Sequence, residues 1–239
     1  MDPDRALLIA CLDLTSLEDD EEETAIARLC GRALRPVPEA PDLYVAAVCI
    51  WPRWLPLARG LLAGGPVRLA CATGGFPVPD APLGERLGQV EHAVTAGADE
   101  VDLPINRFLV DEPDALDGEL TATRTAAGRA TWKAIVETGA LEAAEIRTLA
   151  DAAIAAGADF VKSSTGKGVP GVTPAAAAIL AQSVRAAGGP VGLKLSGGIR
   201  GVAQATNHLA KVRAILGPDW PAPARFRIGA SALLDALLG

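Results

Sequence analysis

The sequence is poor in histidine, with only two among its 239 residues, and it holds one tyrosine and one methionine. Both histidines, His92 and His208, fall in segments with helical apolar spacing, far apart in the chain. A zinc centre with several imidazole ligands and a Ser-His-Asp hydrolase both need a different set of residues. We therefore expect no metal site and no histidine-activated nucleophile.

Positive charge is also scarce, because 29 acidic residues outnumber 22 basic ones and give a net charge of −7 with a pI near 4.9. Such a chain is poorly suited to nucleic acid or an anionic membrane surface. No apolar run approaches the roughly 18 residues of a membrane span, and the acidic start of the chain does not resemble a signal peptide. We expect neither nucleic acid nor a membrane as a partner.

Cysteine is limited to four residues, whose wide spacing matches neither a disulfide framework nor a zinc motif. Three of them fall in apolar segments typical of buried strands. The pattern predicts buried free thiols in a reducing, cytoplasmic environment. The four residues are Cys11, Cys30, Cys49 and Cys71.

Lysine is the rarer of the two strong cations, with five lysines against 17 arginines. Four of the five lie at predicted strand ends or in the loops after them, and Lys162 ends the apolar stretch that begins at Asp159. Arginine stays protonated, whereas a desolvated lysine amine can act as a nucleophile. Lys162 is therefore either a reactive amine or a cation that anchors a carboxylate.

Eight apolar segments alternate with eight segments of helical periodicity along the chain. The apolar segments are continuous rather than alternating, as in a parallel sheet covered by helices. At about 250 residues this pattern favours a closed (β/α)8 barrel, with residues 1–239 as one domain, over an open doubly wound sheet. The predicted strands are Leu7–Leu14, Leu43–Ile50, Val67–Thr73, Asp99–Ile105, Thr131–Thr138, Asp159–Ser163, Val191–Leu195 and Arg225–Gly229.

Active sites of such barrels lie at the carboxyl ends of the strands. The loops after the last three predicted strands carry glycines, a lysine and a hydroxyl, and helix N-termini follow the seventh and eighth strands. Single glycines after strands can be simple turn formers, but three such loops side by side predict a phosphate-binding cradle. Its residues are Gly166, Lys167, Gly197, Gly198, Gly229 and Ser231.

Lys162 and Lys194 are expected on adjacent parallel strands, which lie about 4.8 Å apart. If both point into the barrel mouth, each ammonium disfavours the other and burial acts in the same direction. The pKa of a lysine, ordinarily about 10.4, would then fall, and the neutral amine could attack an aldehyde to form a Schiff base. Asp102 could move a proton on a substrate hydroxyl. Alternatively, Asp102 pairs with one of the lysines, or the two lysines hold a phosphate.

Three segments resemble the signature sequences of the deoxyribose-phosphate aldolase family. They are DEVD at 99–102, FVKSSTGK at 160–167 and VGLKLSGGIR at 191–200. Supporting matches extend from LDLT at 12–15 to FRIGAS at 226–231, so the resemblance covers nearly the whole chain. The chain departs from the family pattern at Leu195-Ser196, beside Lys194, and at Ala232, where many members have a second hydroxyl.

The resemblance implies a class I aldolase, with no cofactor, that cleaves 2-deoxy-D-ribose 5-phosphate reversibly to D-glyceraldehyde 3-phosphate and acetaldehyde. It implies that Lys162 forms the Schiff base, that Lys194 perturbs and orients it, and that Asp102 is the acid/base partner. It also implies a cytoplasmic homodimer. The implied substrate contacts are Thr15 and Cys49 in the pocket, with Gly166, Lys167, Gly197, Gly198, Arg200, Gly229 and Ser231 at the phosphate.

Two alternative functions stay open. One is a related Schiff-base aldolase with another phosphosugar substrate, and the other is a non-covalent phosphosugar isomerase or phosphate-binding barrel. Lys133 also matches a lysine of the family. It could act in catalysis directly, or it could pair inside the barrel with an acid such as Glu137.

Overall fold

Eight parallel strands pair in chain order, and the first pairs with the last to close a barrel. The computed structural model describes residues 1–239 throughout. The closed (β/α)8 barrel predicted from the alternation of strand and helix segments is confirmed. The strands are β1 Leu12–Thr15, β2 Ala47–Ile50, β3 Arg68–Ala72, β4 Glu100–Pro104, β5 Thr131–Ile135, β6 Phe160–Lys162, β7 Gly192–Ser196 and β8 Phe226–Ala230.

Nine α-helices accompany the strands, one more than the sequence pattern predicts. Neighbouring helices pack on one another around the barrel, and most of the apolar core lies between the helices and the outward faces of the strands. None of the helices combines the length and apolar composition that crossing a membrane requires. The helices are α1 Pro3–Ala10, α2 Glu23–Leu34, α3 Leu55–Leu61, α4 Leu83–Thr95, α5 Pro113–Ala127, α6 Ala143–Ala155, α7 Pro174–Ala187, α8 Val202–Leu216 and α9 Leu233–Leu238.

The additional helix, α1, overturns the prediction that a strand starts at Leu7. Asp2 caps it by accepting a hydrogen bond from the Arg5 amide at 3.1 Å, and Pro3 occupies its first turn. Its apolar residues Leu8 and Ile9 are completely buried, and the helix packs against α8 and α9. The run LLIACLDL is therefore the end of a buried helix followed by a strand, two states that continuous apolar residues do not distinguish.

The interior of the barrel is filled by charged side chains and by small residues rather than by large aliphatic ones. Alternate residues of a strand point to the same face, so Glu100 and Asp102 of β4 both point inward, as do Arg227 and Gly229 of β8. Side chains from opposite strands meet there in ion pairs. On the β2–β3 side the filling is a separate cluster of small residues, Ala47, Cys49 and Ala70. Polar chemistry is thereby concentrated on the side formed by β4 to β8 and β1.

The four cysteines are free and buried, as the sequence predicts. Burial raises the pKa of the Cys11 thiol to about 12 and that of Cys30 to about 11. The histidines lie on helices, with His92 exposed on α4 and His208 buried on α8. The barrel interior therefore contains no imidazole, and its reactive groups are carboxylates, amines and one thiol.

Candidate active site

A cavity of about 220 Å³ opens among the loops at the carboxyl ends of β1, β6, β7 and β8. Its polar lining includes hydroxyls, glycine backbone and two cations besides Lys162, as the sequence predicts for a phosphate-binding cradle. The other three predicted site residues, Asp102, Lys194 and Cys49, are completely buried and do not line it. The nine predicted residues that do are Thr15, Lys162, Gly166, Lys167, Gly197, Gly198, Arg200, Gly229 and Ser231.

Asp102 lies between three lysines beneath this cavity. Its Oδ2 atom accepts hydrogen bonds from Lys162 Nζ at 2.8 Å and from Lys194 Nζ at 2.6 Å. Its Oδ1 atom accepts one from Lys133 Nζ at 2.8 Å. Lys162 and Lys194 are paired neighbours on β6 and β7, as predicted. A single carboxylate oxygen therefore connects the two lysines that the sequence singles out.

Two further carboxylates and an arginine extend the cluster across the barrel. Lys194 Nζ donates to Asp13 Oδ2 at 2.5 Å, and the other oxygen of Asp13 accepts from the Arg227 guanidinium at 2.6 Å. Glu100 accepts from the same guanidinium at 3.0 Å and lies 2.5 Å from Lys133 Nζ. Asp13, Glu100, Asp102, Lys133, Lys162, Lys194 and Arg227 form one continuous set of ion pairs, which we call the barrel ion network.

The barrel ion network has four basic groups for three carboxylates. Three of the basic groups contact at least two carboxylates each, namely Lys133, Lys194 and Arg227. Lys162 contacts only Asp102, through an oxygen that it shares with Lys194. Lys162 is therefore the surplus cation, and it is the member of the network that reaches the cavity.

The electrostatics of the lysines follow from this unequal sharing. Burial lowers the pKa of Lys162, and Lys194 lowers it further, while Asp102 opposes both. Burial also disfavours charge on Lys194, but Asp102 and Asp13 overcome it and raise the pKa of that ammonium. The mutual lowering expected of the pair is therefore correct for Lys162 and wrong for Lys194, because Lys194 has two carboxylates of its own.

The carboxylates of the network stay ionised for the same reason. Burial alone would raise the pKa of Asp102, but the ammonium groups of Lys133, Lys162 and Lys194 hold it well below its ordinary value. Asp13 behaves alike, with burial outweighed by Lys133, Lys194 and Arg227, so its pKa is lowered. Fixed negative charge beneath Lys162 is thus already neutralised by neighbouring cations.

Lys133 pairs with acids inside the barrel, as one of the two alternatives expects, but Glu137, the acid given as the example, is not among them. Lys133 is completely buried inside the barrel and contacts Asp13, Glu100 and Asp102. Glu137 lies beyond the end of β5 in a left-handed conformation, with φ of 62°, and its side chain bonds to Thr165 instead. A non-glycine residue in this region is strained, and such strain concentrates where surrounding contacts impose it.

The Glu137 carboxylate anchors the loop between β6 and α7. It accepts hydrogen bonds from the Thr165 amide at 3.1 Å and from the Thr165 hydroxyl at 2.5 Å. The same loop packs backbone to backbone on the next one, because a Cβ added at Gly171 would lie 2.0 Å from the Gly197 carbonyl oxygen. The two loops that carry Lys167 and Gly197 are therefore held in a fixed relation to each other.

The predicted phosphate donors differ in their availability. The amide of Gly166 already donates to Ser164 Oγ, and that of Lys167 donates to Thr165 Oγ1. The amides of Gly197, Gly198 and Ser231 have no acceptor within the chain. At the start of α8, the amides of Arg200 and Gly201 donate to the side chain of Gln204, and α9 begins two residues beyond Ser231.

Lys167 points across the cavity to the loop after β1. Its Nζ donates to the Leu17 carbonyl at 2.9 Å and lies 3.8 Å from the Glu18 carboxylate. Thr15 lines the cavity at the same edge, and its neighbour in the strand register, Cys49, is buried behind it. Burial raises the pKa of Cys49, so it is a thiol within the small-residue cluster.

An aromatic wall faces Lys162 from the loop after β3. The Phe76 ring centroid lies 5.7 Å from Lys162 Nζ, and Trp51 packs edge-on against Phe76 with centroids 5.6 Å apart. At this distance the ring attracts a cation, so the lowered pKa of Lys162 comes from burial and from Lys194 and not from the ring. The sequence reasoning gave neither ring a role in the site.

Sequence reasoning also assigned no role to Asp13, Glu100 and Arg227. The signal that could have found Glu100 and Arg227 is the two-residue period, since each lies two positions before a predicted site residue on the same strand, Asp102 and Gly229. Glu137 left no such signal, because its side chain acts across a loop whose conformation depends on tertiary contacts.

Comparisons with known proteins match this chain to aldolases over nearly its whole length. A family model described as DeoC/LacD family aldolase matches residues 7–238. The deoxyribose-phosphate aldolase of Agrobacterium fabrum is 39% identical over 238 residues, which cover 98% of this chain and 90% of that protein. The chain therefore has a curated relative over nearly its full length.

Solved structures show the same fold at lower identity. A deoxyribose phosphate aldolase from Aeropyrum pernix, described as a unique tetramer, matches with a TM-score of 0.79 and 27% identity, covering 98% of this chain and 91% of its own. A structure described as the aldolase QR15 also gives 0.79 and 27%, covering 97% and 94%. By its family model and its relatives, the chain belongs to the DeoC/LacD family of aldolases, which are lyases.

Proposed function

We propose that this protein is a class I aldolase that reversibly cleaves 2-deoxy-D-ribose 5-phosphate to D-glyceraldehyde 3-phosphate and acetaldehyde, with residues 1–239 acting as one domain. The observation that carries the proposal is the position of Lys162. It is the surplus cation of the barrel ion network, it reaches a cavity with phosphate-type donors, and its pKa is lowered. A buried lysine amine of this kind is the group that forms imines with carbonyl substrates.

The first stage is imine formation at the aldehyde carbon of the open-chain sugar. The neutral Nζ of Lys162 attacks C1, and loss of one water molecule gives a protonated imine. The proton needed to expel the hydroxyl can come from Lys194, which is an ammonium at rest and shares Asp102 Oδ2 with Lys162, and Lys194 recovers this proton when hydrolysis of the final protonated imine releases one. Lys194 also keeps a positive charge beside Lys162, which favours its free amine before each turnover.

The second stage breaks the bond between C2 and C3. The C3 hydroxyl gives up its proton to Asp102, directly or through a water molecule, and the bonding electrons move into the imine to form an enamine. D-glyceraldehyde 3-phosphate leaves, the enamine carbon takes up a proton, and water hydrolyses the remaining acetaldehyde imine. The amine of Lys162 is restored, and the cycle balances without a cofactor.

The phosphate is held by the loops after β6, β7 and β8. The unpartnered amides of Gly197, Gly198 and Ser231 are suited to its oxygens, and Gly229 lines the cavity while its missing side chain leaves room for Lys194. Lys167 and Arg200, which both line the cavity, supply positive charge. Gly166 shapes the loop, and Thr15 and the buried Cys49 bound the sugar end of the pocket.

A coupled assay tests the proposal on the wild type and on Lys162→Arg. Arginine retains the positive charge but cannot form an imine, so turnover of deoxyribose 5-phosphate should be abolished while phosphate binding persists. Borohydride reduction in the presence of acetaldehyde should add an ethyl group to Lys162 in the wild type only. Equal turnover in the two proteins would remove the covalent mechanism.

The two alternatives give different results in the same experiments. A related Schiff-base aldolase would trap acetaldehyde or another carbonyl at Lys162 but would prefer a different phosphosugar. A non-covalent isomerase would show no trapped adduct with any carbonyl compound. The lowered pKa of Lys162 favours the imine mechanisms, because a phosphate-holding lysine needs its charge.

A homodimeric state and a cytoplasmic location complete the proposal, and both derive from the resemblance to the family. The relative from Aeropyrum pernix is described as a tetramer, so the assembly is best tested directly. Light scattering of the purified protein should give twice the chain mass of 24.4 kDa. A mass of one or four chains would contradict the dimer, and turnover that chelators abolish would contradict a cofactor-free mechanism.

A further inference from the structure

Two charged residues of the barrel ion network, Arg227 and Glu100, lie farther from the carboxyl ends of their strands than the other site residues there, and we call them the lower layer of the network. Neither lines the cavity. On β8, Arg227 lies two residues before Gly229, and on β4, Glu100 lies two residues before Asp102. Both charged side chains are almost completely buried. Neither contacts Lys162. A buried charge that merely filled space would be costly, since apolar residues of similar volume are often neutral or stabilising in such positions.

Arg227 is fixed on every side. Its Nε donates to the Pro223 carbonyl at 2.5 Å, its two terminal nitrogens contact Asp13 and Glu100, and its guanidinium carbon lies 5.5 Å from the centre of the Phe160 ring. Asp13 in turn contacts Lys194, the cation beside Lys162. A chain of contacts therefore leads from Arg227 to the lysines of the upper layer.

Glu100 links Arg227 to the upper lysines by a second route, through Lys133. It bonds to Arg227 at 3.0 Å and lies 2.5 Å from Lys133, whose Nζ donates to Asp102. Without Glu100, the network would have two carboxylates for four basic groups. Without Arg227, it would have three carboxylates for three lysines, so that all three lysines could be charged at once.

We propose that Arg227 and Glu100 are positioning residues that set the charge of Lys162 through the balance of cations and anions in the layer beneath it, with Arg227 favouring the neutral amine and Glu100 opposing it. The inference rests on the proposed imine function of Lys162 and adds two residues to it. Arg227 occupies Asp13 and Glu100, so these carboxylates are not free to stabilise a fourth cation. Glu100 limits how strongly these cations favour a neutral Lys162, because it keeps both Lys133 and Arg227 paired.

The charged and titratable groups around Lys162 can be assigned to their strands. Asp102 and Lys194 contact it or its partner oxygen directly, and the remaining groups act through them. Strand β3 contributes only alanines to the interior beside Asp102. The groups are Asp13 on β1, Cys49 on β2, Glu100 and Asp102 on β4, Lys133 on β5, Lys194 on β7 and Arg227 on β8.

The two residues predict opposite effects on the pH dependence of imine formation. Removing the positive charge in Arg227→Met frees Asp13 and Glu100 and so favours protonated Lys162, and the acid limb of the profile should move to higher pH by up to about one unit. Removing the negative charge in Glu100→Gln should move it to lower pH by a similar amount. The double variant removes one charge of each sign and should return close to the wild type.

The test measures the rate at which borohydride traps acetaldehyde on Lys162 as a function of pH, in intact protein, with mass spectrometry of the Lys162 peptide. Arg227→Lys, which keeps the charge, should hold the limb near its wild-type position. Thermal unfolding reports separately on stability, which all buried variants can lower. A merely structural role for the two residues would reduce trapping without moving its pH dependence in opposite directions.

The outcomes separate the inference from the function on which it rests. Absence of trapping at Lys162 in the wild type overturns the proposed function itself. Trapping in the wild type with unmoved limbs, or with both limbs moved the same way, overturns the inference alone. If Arg227→Met does not fold, Glu100→Gln and the double variant decide. The proposal is supported if the acid limb of Glu100→Gln lies at lower pH than that of the wild type and the double variant returns to the wild-type position. It is refuted if the limb of Glu100→Gln does not move.

Discussion

Replacing Asp102 by asparagine separates imine formation from bond cleavage. The carboxylate accepts from three lysines at 2.6 to 2.8 Å, and asparagine removes its charge while keeping its size. Breaking a buried ion pair by removing one partner costs about 3–5 kcal/mol. In a protein of this size each kcal/mol lowers Tm by about 2–4 °C, so Asp102→Asn should melt on the order of 10 °C below the wild type.

The two chemical steps should respond differently to this change. Asp102 opposes the lowering of the Lys162 pKa, so its neutralisation should leave Lys162 uncharged over a wider pH range. Trapping of acetaldehyde by borohydride should therefore persist and extend to lower pH. Cleavage of deoxyribose 5-phosphate loses its proton acceptor, and kcat should fall by about 10²–10⁴.

A matched control for the buried charge is Glu119→Gln. Glu119 is also buried and pairs with Arg86 at 2.9 Å, between α4 and α5 on the outside of the barrel. This variant should lose stability comparably, with far less effect on kcat. The reasoning would be refuted if Asp102→Asn folded and retained wild-type kcat, or if it folded and no longer trapped acetaldehyde at Lys162.

Three other perturbations follow from the contacts of the site. Glu137→Gln weakens charge-assisted bonds to Thr165, so KM for the sugar phosphate should rise on the order of tenfold with kcat nearly unchanged, and a fall in kcat at constant KM would contradict this role. Gly229→Ala brings a methyl group to 2.9 Å from Lys194 Cε, so the free energy of unfolding measured by chemical denaturation should fall by about 1–3 kcal/mol. The control Gly189→Ala, whose methyl group would have no atom closer than 3.9 Å, should not lower it. The two buried aspartates of the barrel ion network have lowered pKa values, so their contribution to stability is present above about pH 4 and is lost as pH falls through the folded-state values. A urea midpoint that stayed constant from about pH 5 to about pH 2 would contradict that assignment.

The barrel was predictable because its pattern repeats. Eight continuous apolar runs separated by amphipathic segments specify a parallel sheet, and chain length favours closure. The strand predicted to start at Leu7 was wrong because the apolar end of a helix that packs on the barrel and a buried strand share the same composition. There the cap at Asp2 and the proline at position 3 were the informative features, and both lie outside the apolar run.

The candidate site was predictable where residues follow from strand register. Lys162 and Lys194 lie on neighbouring strands, so their proximity could be inferred before any coordinates. Asp102 is likewise the register neighbour of Lys133 on the adjacent strand, whereas Asp13 reaches Lys133 across the barrel interior from β1 and could not be predicted. Register predicts which residues face inward, but the choice among several carboxylates depends on side-chain geometry.

The central claim is that one amine of the barrel ion network is uncharged while its neighbours stay charged. The chain has only five lysines, so proton and carbon NMR of lysine labelled at Cε can follow each one, with Lys162→Arg identifying the signal of Lys162. The account predicts that Lys162 titrates below the ordinary lysine range and that Lys133 and Lys194 titrate above it. Titration of Lys162 at or above the value of an exposed lysine would contradict it.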